Sequence, residues 1–453
     1  MLLQKIADYA IKEQTSKLPA DVVHHAKRAV IDWYASLLPG SQVTPATLLE
    51  KAFTEDLDHG GARLASGRRA TLRAAALING AASHSVEFDD IYRDAGYHPG
   101  SPVISAALAA AQASGASGDQ FLRGVIVGYE VSTRIGEAVM PSHYKFWHTT
   151  GTVGTLGAAA AVATILGCNR EQFMHAVATS GTFAAGLQQA FRSQAMSKPL
   201  HGGHAAEAGA LAAMAAAKGV TGALEILEGE VGFGAAMSVN PDWAKATRGL
   251  GTDYHIVHMT FKNHGCCGHT FPSIDGVLHL MHEHKLAPRD LAKIRLATYK
   301  AGLDIINNPS PEGAYQAKFS LQYTVAHAVI HGSVRLNAFL PERLNDAAVR
   351  AMMKNIECVA DTELSKGYPG QRAAQVEIET VDGRKFAHFQ PTRKGDPDMP
   401  LTDDELNEKF LELAGPVVGE PAARALLDQL WTIEKLKNVD FEIAGRPAVR
   451  AAG

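Results

Sequence analysis

Cysteine is scarce in this chain of 453 residues: there are four, Cys168, Cys266, Cys267 and Cys358. Two are adjacent, and the set matches neither a disulfide framework nor a zinc spacing, which fits a reducing compartment. Nor do they supply three suitably placed thiols for an iron–sulfur cluster. An excess of one charge is also lacking. The formal net charge is -4, so no strong field favours nucleic acid or a membrane surface. Long apolar runs are absent; the most apolar stretch, 155–167, is too short and too rich in Ala and Gly to span a bilayer. The opening MLLQKIADYAIKEQ reads as an amphipathic helix, not as a basic end followed by an apolar block. A cytoplasmic protein is therefore expected. There is no internal repeat, no low-complexity segment and no HExxH pattern. Gly151, Gly154 and Gly157 recur every third residue, but no strand precedes them and they miss the dinucleotide fingerprint. They read as close packing.

What is present is ample core: 46% hydrophobic and 20% charged residues, at a length that suits two or three domains. The span Leu18 to Gly40 carries apolar residues at Val23, Ala26, Val30, Trp33 and Leu37, a helical spacing with Pro19 in the first turn and Pro39-Gly40 at the end. A polar loop to about Arg69 follows. Further helices are expected at 70–86, 101–115, 118–139, 151–168, 169–187 and 203–218, many so rich in Ala and Gly that their axes can approach closely. The texture changes near residue 260. KIRLATYK (293–300) reads as a strand, and Val376, Ile378 and Thr380, then Asp382-Gly383 and RKFAHF, read as a hairpin. A helix is expected from Leu321 to His331. PTRKGDPDMP (391–400) reads as a linker, Thr402 with Glu405 as a capping box, and Gly415-Pro416 as a helix end. The expected fold is mainly α with an α+β second domain: an all-helical domain of 1–260 and 396–453, and an inserted α+β domain of 261–395.

Five segments gather chemistry. Ser83 to Ala106 holds Glu87, Asp89, Asp90 and Asp94 with His84 and His98. On a helix Glu87 and Asp90 would share a face and Asp89 would point elsewhere. Carboxylates there could hold a histidine in one tautomer and poise it for acid/base work; a capped helix end with solvated acids is the plain alternative. His98-Pro99-Gly100 precedes a helix whose N-terminus could bind an anion. Trp147 to Thr152 places His148 among three threonines at a helix start. Ser197 to His204 sets Lys198, His201 and His204 before an Ala-rich helix, suited to a carboxylate substrate; a metal reading of His201 and His204 lacks a carboxylate ligand. Phe261 to Thr270 holds Lys262, His264, the cysteine pair and His269. Lys318 to Tyr323 leads into a helix, with Tyr323 a possible proton donor or core residue. HLMHEHK (279–285) reads as a solvated helix end.

These segments resemble the MmgE/PrpD family, whose members include 2-methylcitrate dehydratase, cis-aconitate decarboxylase and iminodisuccinate epimerase. The matching pieces are HSVEFDD with HPGSPVISAAL, WHTTGTVGTLGAAA, KPLHGGHAAEAGALAA with ILEGEVGFGAA, FKNHGCCGHTFPSID and AKFSLQY, in order over nearly the whole chain. The resemblance implies a helical domain built from both chain ends, a smaller α+β domain, a homodimer, and a site between the domains that needs neither cofactor nor metal. It implies His98, His148, Lys198, Lys262, Tyr323 and Asp90 as catalytic residues, and Glu87, Asp89, His204 and His269 as substrate-binding ones. Ile91, Asn263-His264-Gly265 and Phe271 depart from the usual pattern, which bears on substrate identity. The expected activity is loss of water from a 2-methylcitrate-like hydroxy acid, as in propionate catabolism. Decarboxylation of cis-aconitate and epimerisation of an iminodisuccinate-like compound are the alternatives. A non-catalytic carboxylate-binding protein is the reading from another class.

Overall fold

The computed structural model describes residues 1–193, 195–368 and 370–441. The chain divides into two compact units, Met1–Phe261 with Thr402–Gly453, and Lys262–Leu401. Residues 442–453, assigned from sequence to the first domain, lie outside the described residues. Residues 396–401, also read as first domain, belong to the second unit. There Arg393 binds Asp396, and the Lys394 N–H donates to Asp275.

The first unit is built on helices Ala20–Gly40, Leu72–Ser83, Gly100–Ser114, Gly118–Val139, Thr149–Ile165, Arg170–Gly181 and Ser197–Ala216, joined by Asp403–Val418 and Glu420–Trp431. Thr149–Ile165 lies at its centre, with all 17 residues buried, as a helix apolar on every side must be. Small residues make this density possible. A Cβ on Gly151, Gly154 or Gly157 would meet the Ala185 carbonyl, Pro102 or Ser132 at 2.3, 2.7 and 2.6 Å. Gly80 and Gly203 face each other across Leu72–Ser83 and Ser197–Ala216; a Cβ on Gly80 would lie 2.8 Å from the Gly203 Cα. That contact brings the start of one helix beside the end of the other.

Three expectations for this unit need correction. It is not all-helical: the region to Arg69 read as loop contains helix Ala46–Ala52 and a two-stranded sheet, β1 (Leu57–Arg63) with β2 (Arg69–Ala70). The short, irregular pairing left no alternating pattern to read. Helix Asp403–Val418 runs through Pro416 and stops at Gly419, whose φ of 84° suits glycine. Proline in a last turn forfeits one bond and does not end the helix. Lys198 and both histidines of its segment lie inside Ser197–Ala216 rather than before it.

The second unit carries a four-stranded sheet. Its order is β4 (Ile356–Asp361), β3 (Leu291–Tyr299), β5 (Ala374–Thr380), β6 (Lys385–Gln390). β3 pairs parallel with β4 and antiparallel with β5, and β5–β6 is the expected hairpin. Helices Phe271–Glu283 and Leu321–His331 bury their apolar sides against it, around Ile274, Val277, Ile294, Leu296, Val325 and Val376. No helix among the described residues is long and apolar enough to cross a membrane.

Candidate active site

Helix Leu72–Ser83 ends before the acidic segment, and Glu87 has a φ of 63°. The segment is therefore an irregular loop, and the shared helical face expected for Glu87 and Asp90 does not exist. The three acids point to three different partners. Asp89, expected to point away, is the one that meets the histidines. Its Oδ2 lies 2.6 Å from His84 Nδ1 and 3.3 Å from His98 Nδ1. Asp89 and His84 are sealed, with side chains 1% and 0% exposed, whereas His98 keeps 15%. The His98 amide donates to the Thr150 hydroxyl at 3.3 Å, which ties this histidine to the start of the central helix.

Glu87 pairs with Lys198, held at the start of Ser197–Ala216 by the Gly80–Gly203 crossing. Burial pulls the Lys198 pKa down, but the charge and hydrogen bond of Glu87, then the charge of Asp89, outweigh it and hold it above the usual lysine value. Lys198 is thus a fixed cation. Asp90 turns the other way. It accepts the Gly100 N–H at 3.0 Å and the Tyr129 hydroxyl at 2.8 Å, closing the N-terminus of Gly100–Ser114. Burial and the charge of Asp32 push its pKa up to about 8, against the Tyr129 bond. Asp90 is thus an anchor for the loop rather than a group facing the histidines, a correction to its expected catalytic place. Asp32 is bound 2.6 Å from Lys409, a pair with both side chains fully buried, and Lys409 also donates to the Phe88 carbonyl at 3.0 Å. Helix Asp403–Val418 so fixes the residue just before Asp89.

His148 caps the central helix. Its ring stacks on His84 at 5.5 Å between centroids, and its Nδ1 lies 3.0 Å from His201 Nδ1. Two Nδ1 atoms at that distance require one to donate and the other to accept, so His201 selects the tautomer of His148. Burial, then the nearby charges of His84 and Lys198, push His148 well below the usual histidine pKa; burial takes His201 to about 4. Both are neutral near pH 7. At Gly186, with a φ of 129°, a Cβ would lie 3.3 Å from the His201 ring. His204 instead lies 3.3 Å from the Phe183 carbonyl. Ligand atoms of His84, Asp89 and His98 do lie within 4.8 Å of one another, a set that could hold a metal ion. His84 and His201 were visible in the sequence as neighbours of the chosen residues; nothing in their spacing showed which partner each would meet.

The other chosen residues belong to the second unit. Lys262 is buried, 5% exposed. His269 Nδ1 lies 2.5 Å from the Tyr299 hydroxyl. Tyr323 is fully buried in the apolar core and its hydroxyl donates to the Ala338 carbonyl. His264 lies 2.9 Å from Asp275, and Cys266 Sγ lies 3.1 Å from the Thr270 hydroxyl, with burial pushing its thiol well up. A thiol so held is a packing group, not a nucleophile.

Residues 4–246 match the MmgE/PrpD N-terminal domain and residues 264–433 the MmgE/PrpD C-terminal domain. The chain belongs to the MmgE/PrpD family. It is 27% identical over 466 residues to the cis-aconitate decarboxylase-like protein oryM of Aspergillus oryzae, covering 97% of this chain and 96% of that protein. It is 28% identical over 376 residues to the human cis-aconitate decarboxylase, covering 80% of this chain and 77% of that one. A match to the mitochondrial 2-methylcitrate dehydratase of Yarrowia lipolytica reaches 31% identity but spans 99 residues, 21% of this chain. Within the first unit, the sealed His84–Asp89 pair with His98 at its edge lies beside the His148–His201 pair and the Lys198–Glu87 ion pair.

Proposed function

We propose that the protein is a lyase that decarboxylates a cis-aconitate-type unsaturated tricarboxylate. The observation that carries this reading is the end-to-end likeness to a decarboxylase-like relative, 97% of this chain against the 21% matched by the dehydratase. Dehydration of a 2-methylcitrate-like acid becomes the second reading, favoured by that shorter match alone.

The chemistry fits the residues. In cis-aconitate a carboxylate on the saturated carbon leaves as carbon dioxide. Its bonding pair shifts across the double bond, which moves one position, and the far carbon takes one proton. No oxidant or reductant enters the balance. Lys198 holds a substrate carboxylate and stabilises the delocalised negative charge; a preorganised cation in a buried site can lower the barrier by several kcal/mol. His98 supplies the proton. Asp89 faces its Nδ1, which directs proton exchange to Nε2. His148, neutral and tautomer-fixed, completes the hydrogen-bonding of the substrate.

The test is product analysis by mass spectrometry in deuterium oxide with cis-aconitate, 2-methylcitrate, citrate and iminodisuccinate. Carbon dioxide loss from cis-aconitate, with one deuterium fixed on carbon, is expected. Water loss from 2-methylcitrate with cis-aconitate untouched would replace this reading with the second. Turnover of none of the four would end both.

A further inference from the structure

Within the second unit, two arginines converge where neither the reaction above nor the packing requires them. Arg393 follows β6 and is 4% exposed; its Nε and Nη2 bind Asp396 at 2.9 and 2.7 Å. Its remaining Nη1 reaches the loop before helix Phe271–Glu283, where a Cβ on Gly268 would lie 2.8 Å from it. The next residue, His269, touches the Tyr299 hydroxyl, and the Tyr299 ring stacks on Tyr368 at 4.8 Å and 13°. Arg372 enters from the other side, two residues before β5; its neighbour Ala373 accepts a hydrogen bond from Thr298, next to Tyr299. Arg372 is half-buried, and its Nε is buried with no hydrogen-bond partner among the described residues.

This arrangement is unfavourable as it stands. A guanidinium taken from water without an ion pair of its own keeps most of its desolvation cost, and the charge of Asp396, the weakest influence on Arg372, offsets little of it. Burial and the charge of Arg393 pull the Arg372 pKa down, and burial with both arginine charges takes His269 to about 4. His269 is thus neutral and adds no third charge. Asp396 is already committed to Arg393 through two bonds. The group that would satisfy an orphan Nε and the unused edge of a second guanidinium is an oxyanion, because a planar fork matches two oxygens at once. Gly268 leaves room for the Arg393 edge, and the tyrosine pair walls one side.

We propose that Arg372 and Arg393 form an oxyanion site within the second unit, taking a carboxylate or phosphate group against His269 and Tyr299. The site does not rest on the reaction assigned above. Thermal unfolding of the full chain in a chloride buffer tests it, with inorganic phosphate and with tricarballylate, a saturated tricarboxylate that has no double bond to react. Wild type should gain melting temperature with one of the two, and which one names the source of the oxyanion. Arg372→Gln should weaken the apparent affinity by about 10-fold or more, as loss of charge-assisted bonds does. Lys198→Ala should keep the part of the shift that Arg372→Gln removes, losing only what tricarballylate gains at the first unit's cation. If Arg372→Gln does not fold, Arg372→Lys is read in its place; it keeps the charge without the fork and should also bind more weakly. No shift in wild type, an unchanged affinity in the Arg372 variant, or a shift lost only in Lys198→Ala would each overturn the proposal.

Discussion

Two loops of this protein look alike on paper and behave differently in the fold. Residues 84–98 and residues 262–270 each gather histidines and other reactive side chains between helices. In the first, one carboxylate oxygen of Asp89 serves two histidines, and one of them stays partly open. In the second, nearly every reactive group is spent on its own unit: His264 on Asp275, His269 on Tyr299, Cys266 on Thr270. The difference teaches that residue type marks a segment as costly to bury, while the partner decides whether it is a tool or a brace. A histidine whose every polar contact is local and sealed holds the fold; one at the edge of a sealed relay can exchange a proton.

The comparison can be broken or sharpened by substitution. The largest effect is expected at the anchorage of the first loop. Lys409→Met removes the cation bound to the buried Asp32 and releases the Phe88 carbonyl. Denaturant unfolding should show a loss of about 3–5 kcal/mol; a change under about 1 kcal/mol would mean that the loop is held by something else. Next comes His98→Ala, which should lower turnover of cis-aconitate by about 100-fold or more, the range for a general acid, with the melting temperature nearly unchanged. Full activity in that variant would remove the first loop from the chemistry.

The second loop should respond in stability instead. His264→Ala leaves Asp275 with the Lys394 N–H but not the histidine, and should cost about 1.5–3 kcal/mol by the same unfolding measurement. A stable but inactive variant would erase the contrast between the loops. The last comparison is a slope rather than a loss, and it belongs to Asp90. Its folded pKa of about 8 lies above the ordinary 3.8, so the native state keeps a proton that the unfolded chain has lost. Stability from this group therefore falls as pH rises between those values, by up to about 1.4 kcal/mol per pH unit. Asp90→Asn should unfold with a flatter pH dependence between about pH 5 and about pH 7 than wild type. An identical slope would mean that Asp90 is ionised in the fold.

Much of the architecture was legible because periodicity is a local property. The heptad-like spacing of Val23 to Leu37, the hairpin around Asp382-Gly383 and the Thr402–Glu405 capping box all appear where the sequence placed them. Glycines at 151, 154 and 157 announced close packing for the same reason: their lack of a side chain has consequences only where something lies near. The two-stranded β1–β2 and the run through Pro416 were missed because short, bulged strands and last-turn prolines leave weak local signals.

The sequence by itself determined the helical first unit, the mixed sheet of the second, and a stock of His, Lys and Asp residues suited to acid/base chemistry on carboxylates. Only the tertiary structure decided which acid meets which base. Glu87 reaches Lys198 across 111 residues and His148 reaches His201 across 53. Between Ser83 and Gly100 the chain has no regular period from which direction could be read, and a left-handed turn at Glu87 sends Glu87, Asp89 and Asp90 to different partners. Direction in such a loop is set by what packs against it, the Gly80–Gly203 crossing and the Lys409 anchor, and those contacts form only when distant helices meet.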